Sequence, residues 1–183
     1  YLAEITFFDD EVGRLMSLIN ETGNADNTLT IVASEQGSSF PFAKWNCYDA
    51  GLRSALIAHW PGRVKPGTKT QAMVEYVDIV TTLVTAGGGQ PAESLDGSSF
   101  LEVLLGEKSR HKDYAYGIQT TRGILSGPEA YGIRSVRSSE YLLIWNLTPS
   151  SKYGNVTVNS DWFKSWREEA ETGNHKAREL LDR

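Results

Sequence analysis

One six-residue run, Thr28-Leu29-Thr30-Ile31-Val32-Ala33, constrains this chain more than any other. It is uncharged, rich in β-branched residues, and cut off abruptly by Ser34-Glu35-Gln36-Gly37. Such a run reads as a buried strand of the kind found in sheets covered on both faces. Upstream, Leu2, Ile5, Phe8, Val12, Leu15 and Ile19 recur at three- and four-residue steps, which predicts an amphipathic helix stopped at Gly23. Downstream, Ala55-Leu56-Ile57-Ala58-His59-Trp60 predicts a second strand, closed by the turn Pro61-Gly62. A helix is predicted from Asp78, a candidate N-cap, to the glycines at 87–89. Ser99 and Glu102 have capping-box spacing for a short helix ending at Gly106.

From about Asp113 the pattern changes. Residues 114–119, 131–137 and 141–146 read as strands, the last two joined by the hairpin-length connection Ser138-Ser139. Ser160 and Asp161 open a helix with Trp162, Trp166 and Ala170 on one face. Gly173 interrupts it and Asn174 caps a short continuation. The predicted fold class is therefore α/β over residues 1–110, followed by a small α+β subdomain with an antiparallel sheet over 111–183. A length of 183 residues suits one domain, or one domain with a small appendage. No apolar run approaches the ~20 residues of a membrane helix. Lys plus Arg number 18 against 23 Asp plus Glu, a net charge of −5, which argues against a nucleic-acid partner. The chain opens Tyr1-Leu2-Ala3-Glu4, with neither an initiator Met nor a signal peptide, and is expected to be a piece of a longer protein. Asn20, Asn146 and Asn155 head Asn-x-Ser/Thr sequons that matter only in a eukaryotic secretory host.

In α/β sheets, sites gather beyond the carboxyl ends of strands. Glu35 and Gln36 stand there, and a carboxylate beside an amide carbonyl is a hard-oxygen pair suited to Ca²⁺ or Mg²⁺. The plainer reading is a solvated loop. Lys44 follows in a loop of aromatics, and by itself reads as a surface lysine. Cys47 is the sole cysteine. It forms no internal disulfide, has no adjacent base to activate it, and reads as a buried core thiol. His59, His111 and His175 lack metal-ligand spacing. Gly87-Gly88-Gly89 follows a helix rather than opening one, so it is a helix stop and not a phosphate cradle.

Four stretches, in order, resemble the C-terminal half of a sulfatase: Ser34-Glu35-Gln36-Gly37 with Lys44; Tyr48-Asp49-Ala50-Gly51-Leu52-Arg53; Trp60-Pro61-Gly62-Arg63-Val64-Lys65-Pro66-Gly67; and Val77-Asp78-Ile79-Val80-Thr81-Thr82-Leu83. Gly117-Ile118-Gln119-Thr120-Thr121-Arg122-Gly123-Ile124, Tyr131-Gly132-Ile133-Arg134-Ser135-Val136-Arg137 and Asp161-Trp162-Phe163-Lys164-Ser165-Trp166 are similar to the heparan N-sulfatase-like branch. The resemblance covers essentially the whole chain. It implies the C-terminal part of an alkaline-phosphatase-like α/β sandwich with a smaller subdomain, truncated at its end. It also implies hydrolysis of sulfate esters or sulfamates by a formylglycine nucleophile and one divalent metal, usually Ca²⁺. Glu35 and Gln36 match the family's Asp-Asn or Asp-His ligand pair, each longer by one methylene. Lys44 matches its sulfate-binding lysine, and Gln119 stands where many relatives carry a substrate-contacting His.

The formylglycine motif (Cys/Ser, any, Pro, any, Arg) is not completed here, because Ser39-Phe40-Pro41-Phe42-Ala43 ends in Ala43. The nucleophile and the remaining ligands are therefore expected in an N-terminal half, and this chain alone is expected to be inactive. The expected partners are a sulfated, glycosaminoglycan-like sugar and that N-terminal half, with no nucleic acid and no membrane. Self-association is expected through the seam which that half would cover. The resemblance implies a periplasmic or secreted location. The alternatives are a non-catalytic sugar-binding or structural module, and a phosphodiesterase or phosphomutase of the same superfamily. The latter needs a His-rich two-metal site, and no His lies near Glu35.

Overall fold

The computed structural model describes residues 2–38, 40, 42–121, 130–151 and 156–182. Residues 122–124 of the sulfatase-like stretch, Ser39 and Pro41, and the sequon at Asn155 lie outside the described residues. The chain falls into two compact units: Tyr1–Val32 with Leu56–Lys112, and Ala33–Ala55 with Asp113–Arg183.

The first unit holds helix α1 (Leu2–Glu21), strands β1 (Thr30–Ala33, whose last residue counts with the second unit) and β2 (Leu56–His59), helix α3 (Val77–Ala86) and the short helix α4 (Leu101–Leu104). β1 and β2 form a two-stranded sheet. β1 is shorter than its sequence run and only half-buried, which corrects the buried-strand reading. The apolar stripe of α1 is only partly covered among the described residues: Leu2, Phe8 and Leu15 are each more than half exposed, while Val12 and Ile19 are half-buried.

The core of this unit is organised by a charge. Asp78 has no solvent exposure. It does not cap α3, as its position suggested, but sits inside the first turn and ties the unit's loops together. Its carboxylate accepts from the Glu75 amide and the Ser98 amide, both at 2.9 Å. Lys112 Nζ lies 2.8 Å from one Asp78 oxygen and 2.6 Å from Glu75. Thr82 Oγ1 donates to the Asp78 carbonyl and accepts from the Phe100 amide, fixing the entry to α4. The Ser99–Glu102 capping box is replaced by a bond from the Leu101 amide to Ser99 Oγ. His111 Nε2 lies 3.3 Å from both Asp78 Oδ2 and Ser98 Oγ. Both contacts fall on one ring nitrogen, so this trio is not a proton relay, which needs the two nitrogens on opposite partners.

The second unit holds the short helix α2 (Asp49–Leu52), strands β3 (Ala115–Thr121), β4 (Ala130–Arg137) and β5 (Leu142–Asn146), and helices α5 (Asp161–Glu171) and α6 (His175–Leu181). The three strands form an antiparallel sheet in the order β3-β4-β5. Ser138 closes the β4–β5 hairpin by accepting the Tyr141 amide on its hydroxyl and donating its own amide to the Tyr141 carbonyl. Cys47, Tyr131 and Ile133 form the buried cluster, with Ile144 packed against it. On β3 the inner position opposite Ser135 is Gly117, where a Cβ would collide with Ser135 Oγ and Leu52. The missing side chain lets α2 approach the sheet. Ser160 caps α5 by accepting the Phe163 amide, Gly173 (φ 98°) ends it, and Asn174 caps α6 through the Lys176 and Ala177 amides.

Burial opposes ionisation of Asp78. The Lys112 hydrogen bond and the Glu75 and Ser98 amides outweigh it and hold the carboxyl below its ordinary value. Burial likewise opposes the Lys112 charge, and Asp78 and Glu75 overcome it and raise the ammonium. For a depressed carboxyl, the stabilisation is complete above the unfolded value near ~3.9 and is lost as pH falls through the folded value. For the raised ammonium, it is complete below the unfolded value and lost as pH climbs through the folded one. We expect Lys112→Met, which strands the buried Asp78 charge, to destabilise this unit by about 3 kcal/mol, read as faster hydrogen exchange along α3. Asp78→Asn should flatten the loss of stability on acidification below about pH 4.

Candidate functional site

The candidate site is built on the loop between β1 and α2, all of it in the second unit. The Ser34 amide donates to the Ala55 carbonyl at 2.9 Å, and Ser34 Oγ donates to the Gln36 carbonyl at 2.9 Å. The Gly37 amide reaches the Gly51 carbonyl at 3.3 Å, pinning the segment after Gln36 to α2. Glu35 is exposed and Gln36 half-buried.

The loop then doubles back. The Lys44 amide donates to the Ser38 carbonyl at 2.8 Å. Ala43, Asn46 and Cys47 are buried and anchor the return. Asn46 Oδ1 accepts the Tyr48 amide at 2.8 Å, an Asx-turn that leads into α2. Gly51 closes the arrangement, because a Cβ there would strike the Ala43 and Asn46 carbonyl oxygens. Phe42 (φ 63°) and Trp45 (φ 62°) occupy the left-handed region, which costs a non-glycine residue about 1–3 kcal/mol. These two strained residues flank the buried Ala43 and the half-buried Lys44.

Lys44 Nζ lies 4.7 Å from the centroid of the Trp45 ring, a cation–π contact that holds the ammonium at the loop surface. Aromatics from α5 brace the same loop: Phe40 meets Trp162 edge-on at 5.7 Å, and Phe42 lies 6.3 Å from Trp166. Phe42 also meets Tyr48 edge-on at 6.0 Å. Sequence reasoning put Trp162 and Trp166 on one helix face but missed Trp45 and Asn46. An Asn two residues before Tyr48 at a helix start was the readable signal for the turn. Nothing in the sequence marks Trp45 as the residue that carries the lysine.

Gln119 lies on the inner face of β3, opposite Ile133. Its Nε2 donates to the Thr121 carbonyl at 3.0 Å. Its Oε1 is buried and, among the described residues, accepts no hydrogen bond. An orphan acceptor of this kind carries a desolvation cost that an incoming donor would relieve. Burial pushes the Cys47 thiol up, against smaller opposing effects of Ser135 and Arg134, so it stays protonated and unreactive.

Among the described residues no group of three or more His, Cys, Asp or Glu is placed to hold a metal. Glu35 and Gln36 have oxygen chemistry that suits a hard cation, but two donors fall well short of the 6–8 that Ca²⁺ takes.

The family described as N-sulphoglucosamine sulphohydrolase, C-terminal, matches residues 37–156. That stretch contains Lys44 and Gln119 and begins one residue after Gln36. Over 146 residues the chain is 32% identical to an ulvan-active sulfatase of Formosa agariphila, spanning 80% of this chain and 28% of that protein. The fold matches the solved structure of a protein in complex with its substrate D-glucosamine-2-N,6-O-disulfate, with TM-score 0.62 and 18% identity, over all of this chain and 40% of that one. It also matches a phosphonate monoester hydrolase from Silicibacter pomeroyi, with TM-score 0.57 and 21% identity, over 91% of this chain and 39% of that one. These structural likenesses show the fold alone, the alkaline-phosphatase-like architecture expected from the sequence. The sequence matches go further: the chain belongs to the N-sulphoglucosamine sulphohydrolase C-terminal family, and is a sulfatase C-terminal region. It spans about a quarter of the length of the curated relatives it matches.

We expect Gly51→Ala to disrupt the loop rather than the sheet, because the added methyl meets the backbone carbonyls of Ala43 and Asn46 as well as the Asn46 side-chain oxygen. The cost should be about 1–3 kcal/mol, with amide-exchange protection lost over residues 42–48 and kept in β4. Calcium titration of the chain should show binding no tighter than about millimolar. Micromolar binding by calorimetry would reveal further donors within these 183 residues.

Proposed function

We propose that this chain supplies the metal-ligand pair and the sulfate-binding lysine of a sulfuric ester hydrolase that acts on sulfated sugars. The observation that carries the reading is the 2.8 Å bond from the Lys44 amide to the Ser38 carbonyl. It folds the loop so that the lysine backbone lies beside the residue two positions past Gln36. Family membership supports sulfate as the group handled. The relatives whose names specify ulvan or a glucosamine disulfate support a sulfated, glycosaminoglycan-like sugar as the substrate class.

In this reading Glu35 and Gln36 are two of the ligands of one divalent cation, Ca²⁺ in the family pattern. Held there, that cation would supply charge neutralisation at the sulfate oxygens, and a formylglycine would supply the nucleophile. The formylglycine and the remaining ligands come from sequence beyond this chain, since both Ser-x-Pro segments, at Ser39 and Ser126, carry alanine (Ala43 and Ala130) where the motif needs arginine. Lys44 donates to a sulfate oxygen and offsets the charge that develops on the leaving oxygen of an ester, or the leaving nitrogen of a sulfamate, as the S–O or S–N bond breaks. The Trp45 ring keeps the ammonium poised without neutralising it, which a carboxylate partner would do. Gln119 donates one amide N–H to the Thr121 carbonyl, and its orphan Oε1 is the acceptor it would offer to a hydroxyl or amine of the sugar. Residues 33–55 contain no His. That composition does not suit the His-rich two-metal alternative. Location in the periplasm or outside the cell belongs to the same proposal.

The test is turnover. The 183-residue chain alone should hydrolyse no aryl sulfate above buffer. In the longer protein that carries it, Lys44→Ala should leave the fold intact and cut kcat about 10²–10³-fold, the scale of one lost charge contact to a transition state. Wild-type turnover in that Lys44→Ala protein would end the site assignment. Turnover by the chain alone would show that it needs no outside nucleophile.

A further inference from the structure

Two basic side chains meet Asp78, and only Lys112 among them carries its charge at every ordinary pH. The buried carboxylate takes two donors on each oxygen. On Oδ1 these are the Ser98 amide at 2.9 Å and Lys112 Nζ at 2.8 Å. On Oδ2 they are the Glu75 amide at 2.9 Å and His111 Nε2 at 3.3 Å. An ionised carboxylate accepts at about four lone-pair sites and donates none. All four are filled only if the imidazole is the donor. That fixes the neutral tautomer: Nε2 carries the proton and Nδ1 is bare. Ser98 Oγ, also 3.3 Å from Nε2, shares the same N–H as an acceptor.

The tautomer decides where a second proton goes. Nδ1 is the one basic atom left on the ring, and a proton there turns it into a cation whose Nε2–H already points at Asp78. A hydrogen bond from a charged donor is about twice as strong as one between neutral groups. Burial by itself opposes a charge on the ring, and the adjacent carboxylate offsets that opposition. The His111 side chain is only 9% exposed and that of Asp78 not at all, so water and salt screen the pair little. Lys112 is a like charge, but it is drawn to Asp78 Oδ1 and, at 2.6 Å, to Glu75, so one ammonium serves two carboxylates. Phe100 meets the ring edge-on at 6.0 Å and brings no charge. Arg110 and Asp113, which flank the His111-Lys112 pair along the chain, are exposed and opposite in sign.

Position in the chain gives this charge a consequence. His111 and Lys112 are the last residues of the first unit, and the chain leaves it at Asp113. Lys112 also pairs with Met73 in an isolated antiparallel bridge. We propose that His111 is an acid-tightened latch. On mild acidification its imidazole takes up a proton on Nδ1, becomes a second cation on Asp78 beside Lys112, and binds the departing segment more firmly to the start of α3. Imidazole is the side chain that ordinarily changes charge between about pH 5 and 8. Asp78 stays ionised over that range, because the Lys112 bond and the Glu75 and Ser98 amides outweigh burial and hold its carboxyl low. The folded unit then holds a proton that the unfolded chain binds less tightly. The added stability is therefore present in mild acid and lost as the pH rises toward about 8.

Two measurements on the 183-residue chain test this. Nitrogen NMR of the imidazole rings reads tautomer and charge without any substitution. At about pH 8 His111 should show a protonated Nε2 and a bare Nδ1, and at about pH 5 two protonated nitrogens. The second measurement is amide-exchange protection along α3 in His111→Gln, corrected for the intrinsic rate at each pH. Glutamine keeps an N–H donor where Nε2 lies but takes up no proton. At about pH 8 the variant and the wild type should be equally protected. At about pH 5 the wild type should be about fivefold better protected, the difference between a charged and a neutral donor to one acceptor. An Nδ1–H tautomer at the higher pH overturns the proposal, as does an imidazole still neutral at the lower one. A loss of protection in His111→Gln that is the same at both pH values overturns it too, and leaves His111 a packing residue only.

Discussion

The candidate site depends on one steric constraint, the absence of a side chain at Gly51. The loop that follows β1 has to return over α2, and its two innermost carbonyls, from Ala43 and Asn46, occupy the space a Cβ would need. With that space free, Asn46 can bury its amide, form its turn and fix the backbone on either side of Lys44. The left-handed conformations at Phe42 and Trp45 are what this tight return costs. They are tolerated because buried residues on both sides and the aromatics of α5 leave the loop no better path. A flexible lysine is thereby confined at its root by a hydrogen bond and near its tip by an indole ring.

Much of the architecture was legible in the sequence because it rests on local periodicity and on end signals. The helices at Leu2–Glu21 and Asp161–Glu171, the Ser160 and Asn174 caps, and the hairpin at Ser138 all have short-range causes. What misled was tertiary. Asp78 looks like a cap because Asp is common there, but its partners Ser98 and Lys112 lie 20 and 34 positions downstream, beyond any local rule. In the C-terminal sheet apolar residues stand on both faces, so alternation does not tell them apart: Tyr131, Ile133 and Ile144 pack inward, while Ile118 and Trp145 are exposed. Gly117 faces the interior beside Leu52 of α2.

The site was legible in a different way. Composition and spacing reached only a pair of oxygen donors after a strand and an unremarkable lysine. The order of several short motifs supplied the family, and the match over residues 37–156 bears it out. The structure adds what neither route contained: the hydrogen bond that turns the loop back between Gln36 and Lys44, the indole beneath the ammonium, and the unmet acceptor on Gln119. These are properties of side chains held in place, and a list of residue types does not encode them.

The two compact units are interleaved along the chain. The backbone leaves the first unit after Val32, returns at Leu56, and leaves again after Lys112. No single cut in the polypeptide separates them. The C-terminal sheet cannot be moved between proteins as a trailing cassette, because residues 33–55 that complete its buried face are encoded upstream of half the other unit. Recombination that respects this architecture needs two crossovers, and a site loop that travels with its sheet keeps its lysine in register with the surface that supports it.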